Sequence, residues 1–286
     1  MTRRGGLLAG AAALLSGCSG TGVLNAVAGK NHQGQQDIAY GPDPRQRLDV
    51  YQPLAGDRPA TPPVVVFFYG GSWSKGERGE YRFVGEALAS GGAIVVIPDY
   101  RLSPAVRYPE FVRDSAAAVK WAFDHAAELG GSPDNVVVMG PSAGGYNAAM
   151  VALDRRWLDG AGLAPQRKLA GWIGLAGPYD FLPIENRETQ VAFRWPQTSP
   201  DTQPIMHVTA NAPRTLLLAA ITDSLVNPQR STVGLGRALQ AAGVQTRVEL
   251  FPRVNHVTLL AALAQPLRWL APVRSEVLAF LGLSEG

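Results

Sequence analysis

The chain of 286 residues carries one cysteine, Cys18, and four histidines. Neither a disulfide framework nor a cysteine-rich metal site can be assembled from that within one copy. Charge is sparse and mixed: 26 Lys and Arg against 23 Asp and Glu leave a formal +3. No basic run forms a phosphate-neutralising stripe, which argues against nucleic acid as a partner. No two histidines stand at a ligand-like spacing, and no glycine-rich loop ends in Lys-Ser or Lys-Thr. The sequence therefore offers no metal and no nucleotide cofactor. Gly140 to Gly145 passes only superficially for a dinucleotide turn, because its glycines miss the Gly-x-Gly-x-x-Gly spacing. Membrane-length apolar runs are missing too, since the stretch from Gly5 to Leu15 is too short to span a bilayer comfortably. What is present is a 46% apolar, 17% charged chain, long enough to bury one large core of the size at which α/β domains stay single.

The opening MTRRGGLLAGAAALLSGCSG sets two arginines before the apolar stretch and ends it at Leu15-Ser16-Gly17-Cys18. That order fits a signal-peptide core and resembles the bacterial lipobox, in which the cysteine is diacylated and the residues before it are removed. It implies a lipoprotein signal peptide over 1–17, lipidation at Cys18 and a protein exported to the bacterial cell envelope, the alternative being an ordinary secretory signal with a chance cysteine. There it would be lipid-anchored on the periplasmic or extracellular face, each buried acyl methylene adding roughly 0.8 kcal/mol. Thr2-Arg3-Arg4 before Leu7 and Leu8 also resembles a twin-arginine export signal. From Gly20 to about Pro44 the chain is rich in Gly, Asn, Gln and Asp with little periodicity, so residues 18–45 read as a lipidated tether.

Residues 46–286 read as one catalytic domain. RLDVYQP, PPVVVFFYGG, AIVVIPDY, NVVVMG, LAGWIGLAG, RTLLLAAIT and TRVELFP are strand-like. They alternate with helical patterns such as YRFVGEALASGG, RDSAAAVKWAFDHAAELGG and STVGLGRALQAAG, and a final helical region ends near Leu283. Short, fully apolar strands separated by helices imply a mostly parallel sheet covered on both faces. The Pro-rich stretch 178–213 is the only candidate for a lid, and at that length a short one.

In such a sheet, ligands bind outside the carboxyl ends of the strands. Four places stand directly after strands: Tyr69-Gly70-Gly71-Ser72-Trp73, Ser142, Asp223 and His256. Read blandly, Gly140-Pro141-Ser142-Ala143-Gly144 is a turn in which glycine and serine serve only as turn formers. Its position between a buried strand and a helix favours a serine nucleophile held on a sharp turn.

These motifs resemble those of the α/β-hydrolases of esterase and lipase type, close to bacterial hormone-sensitive-lipase-like carboxylesterases, over roughly Leu48 to Leu283. The family's His-Gly-Gly loop stands here as Tyr69-Gly70-Gly71, its Asp-Tyr-Arg-Leu-x-Pro element as Asp99 to Pro104, and its nucleophile elbow as Gly140 to Gly145. The resemblance implies the α/β-hydrolase fold and the triad order Ser142, Asp223, His256. A serine hydroxyl needs a base to take its proton, which is the part of His256. An anion must fix the imidazole tautomer, which is the part of Asp223. The developing oxyanion needs donors, expected from the N–H of Ala143 at a helix start and from Gly70, Gly71 or Ser72.

Tyr69 replaces the family histidine, and its phenol either joins the oxyanion hole or packs the loop. His207 is the rival base and Asp180 the rival acid. His32 and His125 are disfavoured by chain order, and Asp99 and Asp114 are mostly structural in the family. Trp73 and Trp195 line an acyl pocket or belong to the core. The activity implied is serine carboxylic-ester hydrolysis through an acyl-enzyme, without a cofactor, on small to medium acyl esters as small-molecule substrates. Aryl formamide or lactone hydrolysis is the alternative within enzymes. The alternative outside them is an idle domain serving as an envelope binding protein.

Overall fold

The computed structural model describes residues 19–29, 32–56 and 59–284. The expected signal peptide and the lipidation site at Cys18 lie outside the described residues. Among the described residues there are eight strands: β1 (Gln33–Ala39), β2 (Arg47–Gln52), β3 (Val64–Phe67), β4 (Ile94–Pro98), β5 (Val136–Pro141), β6 (Gly171–Leu175), β7 (Thr215–Ala220) and β8 (Thr246–Phe251). They form one sheet in the order β1-β2-β4-β3-β5-β6-β7-β8. The pairs β1/β2 and β2/β4 are antiparallel, and all others are parallel.

The run of parallel strands follows from composition. Every residue of β3, β4, β5 and β7 is buried, which requires cover on both faces. The Val, Ile and Leu side chains that provide this each contribute roughly 1.5–3 kcal/mol on burial. Helix Glu110–His125 packs against Ser142–Leu153, and Arg82–Ala89 packs against Val273–Leu281. Val64 stands opposite Val136 and Phe67 opposite Met139. The chain therefore leaves β3 and β5 at the same level, and segments 68–73 and 140–144 emerge side by side.

The tether expected over 18–45 is corrected. Helix Ser19–Ala26 buries Leu24, and Asn25 bonds the carbonyl of Gly79 and the N–H of Phe83. Residues 33–39 form β1, paired with β2 from Gln33↔Gln52 to Ala39↔Arg47. Six of its seven residues are exposed, so backbone pairing holds this edge strand rather than apolar burial, and hydrophobic periodicity does not reveal it.

Candidate active site

β5 runs into helix Ser142–Leu153 without a linker, and Ser142 sits at the junction with φ +51°. A left-handed backbone at a non-glycine residue costs about 1–3 kcal/mol and persists only where neighbours enforce it. The enforcement is visible in the two flanking glycines. A Cβ on Gly144 would lie 2.0 Å from the Phe68 carbonyl oxygen, and one on Gly140 would lie 2.4 Å from the Gly144 carbonyl carbon. Only bare backbone lets the helix start so close beneath the end of β3. Ser142 is thereby held at the carboxyl edge of the sheet, where it lines a cavity of about 450 Å³ shared with His256.

His256 opens the helix His256–Ala261 after β8. Asn255 caps that helix, accepting from the N–H groups of Val257 and Thr258 while its own N–H donates to Thr258 Oγ1. This reciprocal cap fixes where the helix begins and so where the imidazole stands. The ring's Nδ1 lies 2.7 Å from Asp223 Oδ2. Asp223 stands in the loop after β7, its side chain fully buried, and its Oδ1 accepts the N–H groups of Leu225 and Val226 at 2.8 and 3.0 Å. Burial alone would raise this carboxyl. The bond and charge of His256 and the two backbone donors outweigh burial and hold it below its ordinary 3.8.

The loop after β3 curls over the serine. Gly71, Ser72 and Trp73 follow one another with φ of +119°, +51° and +57°, so the chain curls, and the N–H groups of Ser74 and Lys75 close on the Gly71 carbonyl. A Cβ on Gly70 would lie 3.2 Å from Ser142 Cβ, which places this loop directly over the serine. Ser72 and Ala143 line the cavity. Among the described residues, the N–H groups of Gly70, Gly71, Ser72 and Ala143 donate to no protein acceptor. For Ala143 this follows from its place in the first turn of a helix, where no intrahelical carbonyl is available.

Tyr69 requires a correction. Its ring is fully buried and stacks between Tyr81 and Tyr100 at centroid distances of 5.3 and 4.7 Å. The hydroxyl donates to Asp99 Oδ1 at 2.9 Å and accepts from Arg45 Nη2 at 2.8 Å. A phenol committed to these partners does not line the cavity, so the tyrosine packs and ties the loop.

The rivals separate equally clearly. Asp180 lines the cavity but forms a two-point ion pair with Arg230, at 2.7 and 3.0 Å, and not with a histidine. His207 bonds the Asp201 carbonyl, and His125 bonds the Trp121 carbonyl. His32 packs on Tyr51. Trp73 is both core and cavity wall, its Nε1 donating to Asn147 Oδ1 at 2.9 Å. Trp195 packs on the core and does not reach the cavity.

Phe181 and Ile184, from the 178–213 stretch, face the cavity as part of an apolar wall. Asp180, Arg230 and Asn227 form a polar one. Sequence reasoning missed Arg230, because the guanidinium's partner lies 50 positions away on another loop. Among the described residues no group of three or more His, Cys, Asp or Glu side chains could hold a metal ion, and no helix is long and apolar enough to cross a membrane.

The BD-FAE family model matches residues 48–236, a span that includes the Gly70–Ser72 loop, the Ser142 turn and Asp223. The chain belongs to the BD-FAE family. Like the esterases it resembles, this BD-FAE member has the α/β-hydrolase fold. Among curated relatives, the probable isoprenylcysteine alpha-carbonyl methylesterase of Arabidopsis thaliana is 28% identical over 255 residues, covering 82% of this chain and 52% of its own length. The probable carboxylic ester hydrolase LipM of Mycobacterium tuberculosis is 32% identical over 213 residues, covering 68% and 49%. The chain spans about half the length of these relatives. Among solved structures, Esterase B from Lactobacillus rhamnosis matches with a TM-score of 0.77 at 22% identity, covering 92% of this chain and 91% of that one.

Proposed function

We propose that this BD-FAE chain is a serine carboxylic-ester hydrolase acting through an acyl-enzyme on small to medium acyl esters. The reading rests on the His256–Asp223 bond at 2.7 Å together with a strained Ser142 on the same cavity as His256. In this mechanism Ser142 Oγ attacks the ester carbonyl as His256 takes its proton. The tetrahedral oxyanion is received by backbone N–H groups of Ala143 and the Gly70–Ser72 loop, which are aimed without further reorganisation. Collapse expels the alcohol, which takes the proton from His256. Water activated by the same imidazole then releases the acid. A cavity of about 450 Å³ falls at the small end of ligand pockets, which favours short and medium acyl groups over long chains.

The test is turnover of a p-nitrophenyl ester series of rising chain length, beside an aryl formamide and a lactone, with Ser142→Ala as control. Ester turnover that declines with chain length and falls by about six orders of magnitude in the variant supports the reading. Preference for the formamide or lactone moves the substrate class. No turnover of any of them by folded protein favours a binding role.

We also propose that the protein is exported and anchored to the cell envelope through a lipidated Cys18. Support comes from Leu15-Ser16-Gly17-Cys18 following two arginines and a short apolar stretch. Membrane fractionation and lipid labelling of the full chain expressed in bacteria test this. Loss of both in Cys18→Ser is expected, and soluble, unlabelled wild-type protein overturns it.

A further inference from the structure

We propose that Arg45 is a positioning residue for the oxyanion donors, bridging the two ends of the loop that carries them. Arg45 lies in the turn between β1 and β2 and does not line the cavity. Its Nη2 donates to the Tyr69 hydroxyl at 2.8 Å and to the Gly76 carbonyl at 2.9 Å. These are the residues just before and just after the Gly70–Lys75 curl, so one nitrogen spends its two hydrogens on both ends of it. Its Nε donates to the Tyr100 carbonyl at 3.0 Å, and the Tyr100 hydroxyl donates to the Tyr69 carbonyl at 2.8 Å. The last peptide before Gly70 is therefore held through its side chain and its carbonyl.

Asp99 completes the clamp. Only slightly exposed, it accepts from the Tyr69 hydroxyl with Oδ1 and lies 3.6 Å from Arg45 Nη2. It also accepts from the Arg78 backbone N–H at 2.8 Å and from the Arg78 guanidinium. Arg78 in turn reaches Asp49 at 2.9 Å and Asp37 on β1 at 2.8 Å. The loop between Tyr69 and Arg78 is thus pinned on both flanks to the N-terminal hairpin.

The curl itself is poorly self-supporting. Its closures are the Ser74 and Lys75 N–H groups and the Ser74 hydroxyl, all on the Gly71 carbonyl, and three successive residues have positive φ. Two glycines with strained neighbours settle into other conformations when their ends are released. A shift of about 1 Å in aimed groups can cost a hundredfold in rate. The guanidinium fork holds Tyr69 and Gly76 through Nη2 and the Tyr100 carbonyl through Nε in one fixed geometry, which an ammonium does not reproduce.

The inference deepens the esterase reading and rests on it for its kinetic test, which uses full-length Arg45→Met and Arg45→Lys with active sites counted by titration. Arg45→Met is expected to lower kcat by about 10- to 100-fold, with KM within about twofold. Affinity for a trifluoromethyl ketone, whose serine adduct places an oxyanion in the hole, should fall in step with kcat, and Arg45→Lys should recover only part of the loss. A variant that melts earlier but keeps wild-type kcat and ketone affinity well below its melting point overturns the proposal. If Arg45→Met does not fold, Tyr69→Phe releases the Tyr69 end of the clamp from both Arg45 and Asp99 while Arg45 keeps Gly76; a fall in kcat supports the proposal and unchanged kcat overturns it. A second arm is independent of ester chemistry. Amide exchange at Ser74 and Lys75, whose N–H groups close the curl on the Gly71 carbonyl, should quicken about tenfold or more in Arg45→Met, and unchanged exchange overturns the proposal even if wild-type protein turns over no ester, which would sink the esterase reading separately.

Discussion

Asp223 and His256 meet at 2.7 Å through Oδ2 and Nδ1, while the other oxygen of the same carboxylate is occupied by two backbone N–H groups. An ionised Asp223 can only accept, so the neutral imidazole carries its proton on Nδ1 and keeps the Nε2 lone pair free as a base. The loop after β7 dictates this orientation, because Leu225 and Val226 leave Asp223 no freedom to turn its oxygens.

Asp223→Asn therefore has a specific expected defect. The amide oxygen stays with the two N–H groups, so the amide NH2 faces His256 Nδ1 and selects the tautomer with its proton on Nε2. Turnover should fall by roughly four orders of magnitude. Asp180→Asn weakens only the partly exposed pair with Arg230 and should change kcat by less than about tenfold. Steady-state kinetics of both variants decide, and the reverse ranking moves the acid to Asp180.

Much of this arrangement was readable from local pattern. Val64–Phe67, Val136–Met139 and Thr215–Ala220 announce central strands because burial on both faces removes polar alternation. Ser142 and Asp223 each follow such a strand and His256 follows the partly exposed edge strand β8, at the end of the sheet where the topology gathers ligand-binding groups. What local pattern hides is long-range pairing. The β1 strand faces solvent and is held by its hydrogen bonds to β2, so no apolar period marks it. Tyr69 stands beside the donor glycines in sequence, yet its hydroxyl is claimed by Arg45 and Asp99, 24 and 30 positions away. Neither partner is visible from the loop itself.

The carboxyl of Asp223 also predicts an acid dependence of stability. Its folded pKa lies below its ordinary 3.8, so the unfolded chain binds the proton more readily than the native one. The stabilisation is therefore complete well above that value and is lost as pH falls through it and below. Urea unfolding of wild type at steps between about pH 6 and pH 2 should show this loss. Asp223→Asn should lack that component and show a shallower decline over the same interval. Parallel pH profiles for the two proteins would exclude Asp223 from the acid response.

Ser142 pays for its position with backbone strain, and that strain can be separated from chemistry. Ser142→Ala and Ser142→Gly both remove the nucleophile and should both abolish ester turnover. They differ in the backbone: alanine keeps a Cβ at φ +51°, whereas glycine adopts the left-handed region without steric cost. Against this, glycine gains more freedom in the unfolded chain and forfeits about 0.5–1 kcal/mol where φ is ordinary. The relief of about 1–3 kcal/mol outweighs that loss if the junction is truly strained. Ser142→Gly is therefore expected to exceed Ser142→Ala in unfolding free energy by about 1 kcal/mol, measured by urea denaturation at neutral pH. A glycine variant equal to or weaker than the alanine one would mean that the turn relaxes around its serine, and that the cavity-lining Ser142 is held by the close packing at Gly140 and Gly144 without stored strain.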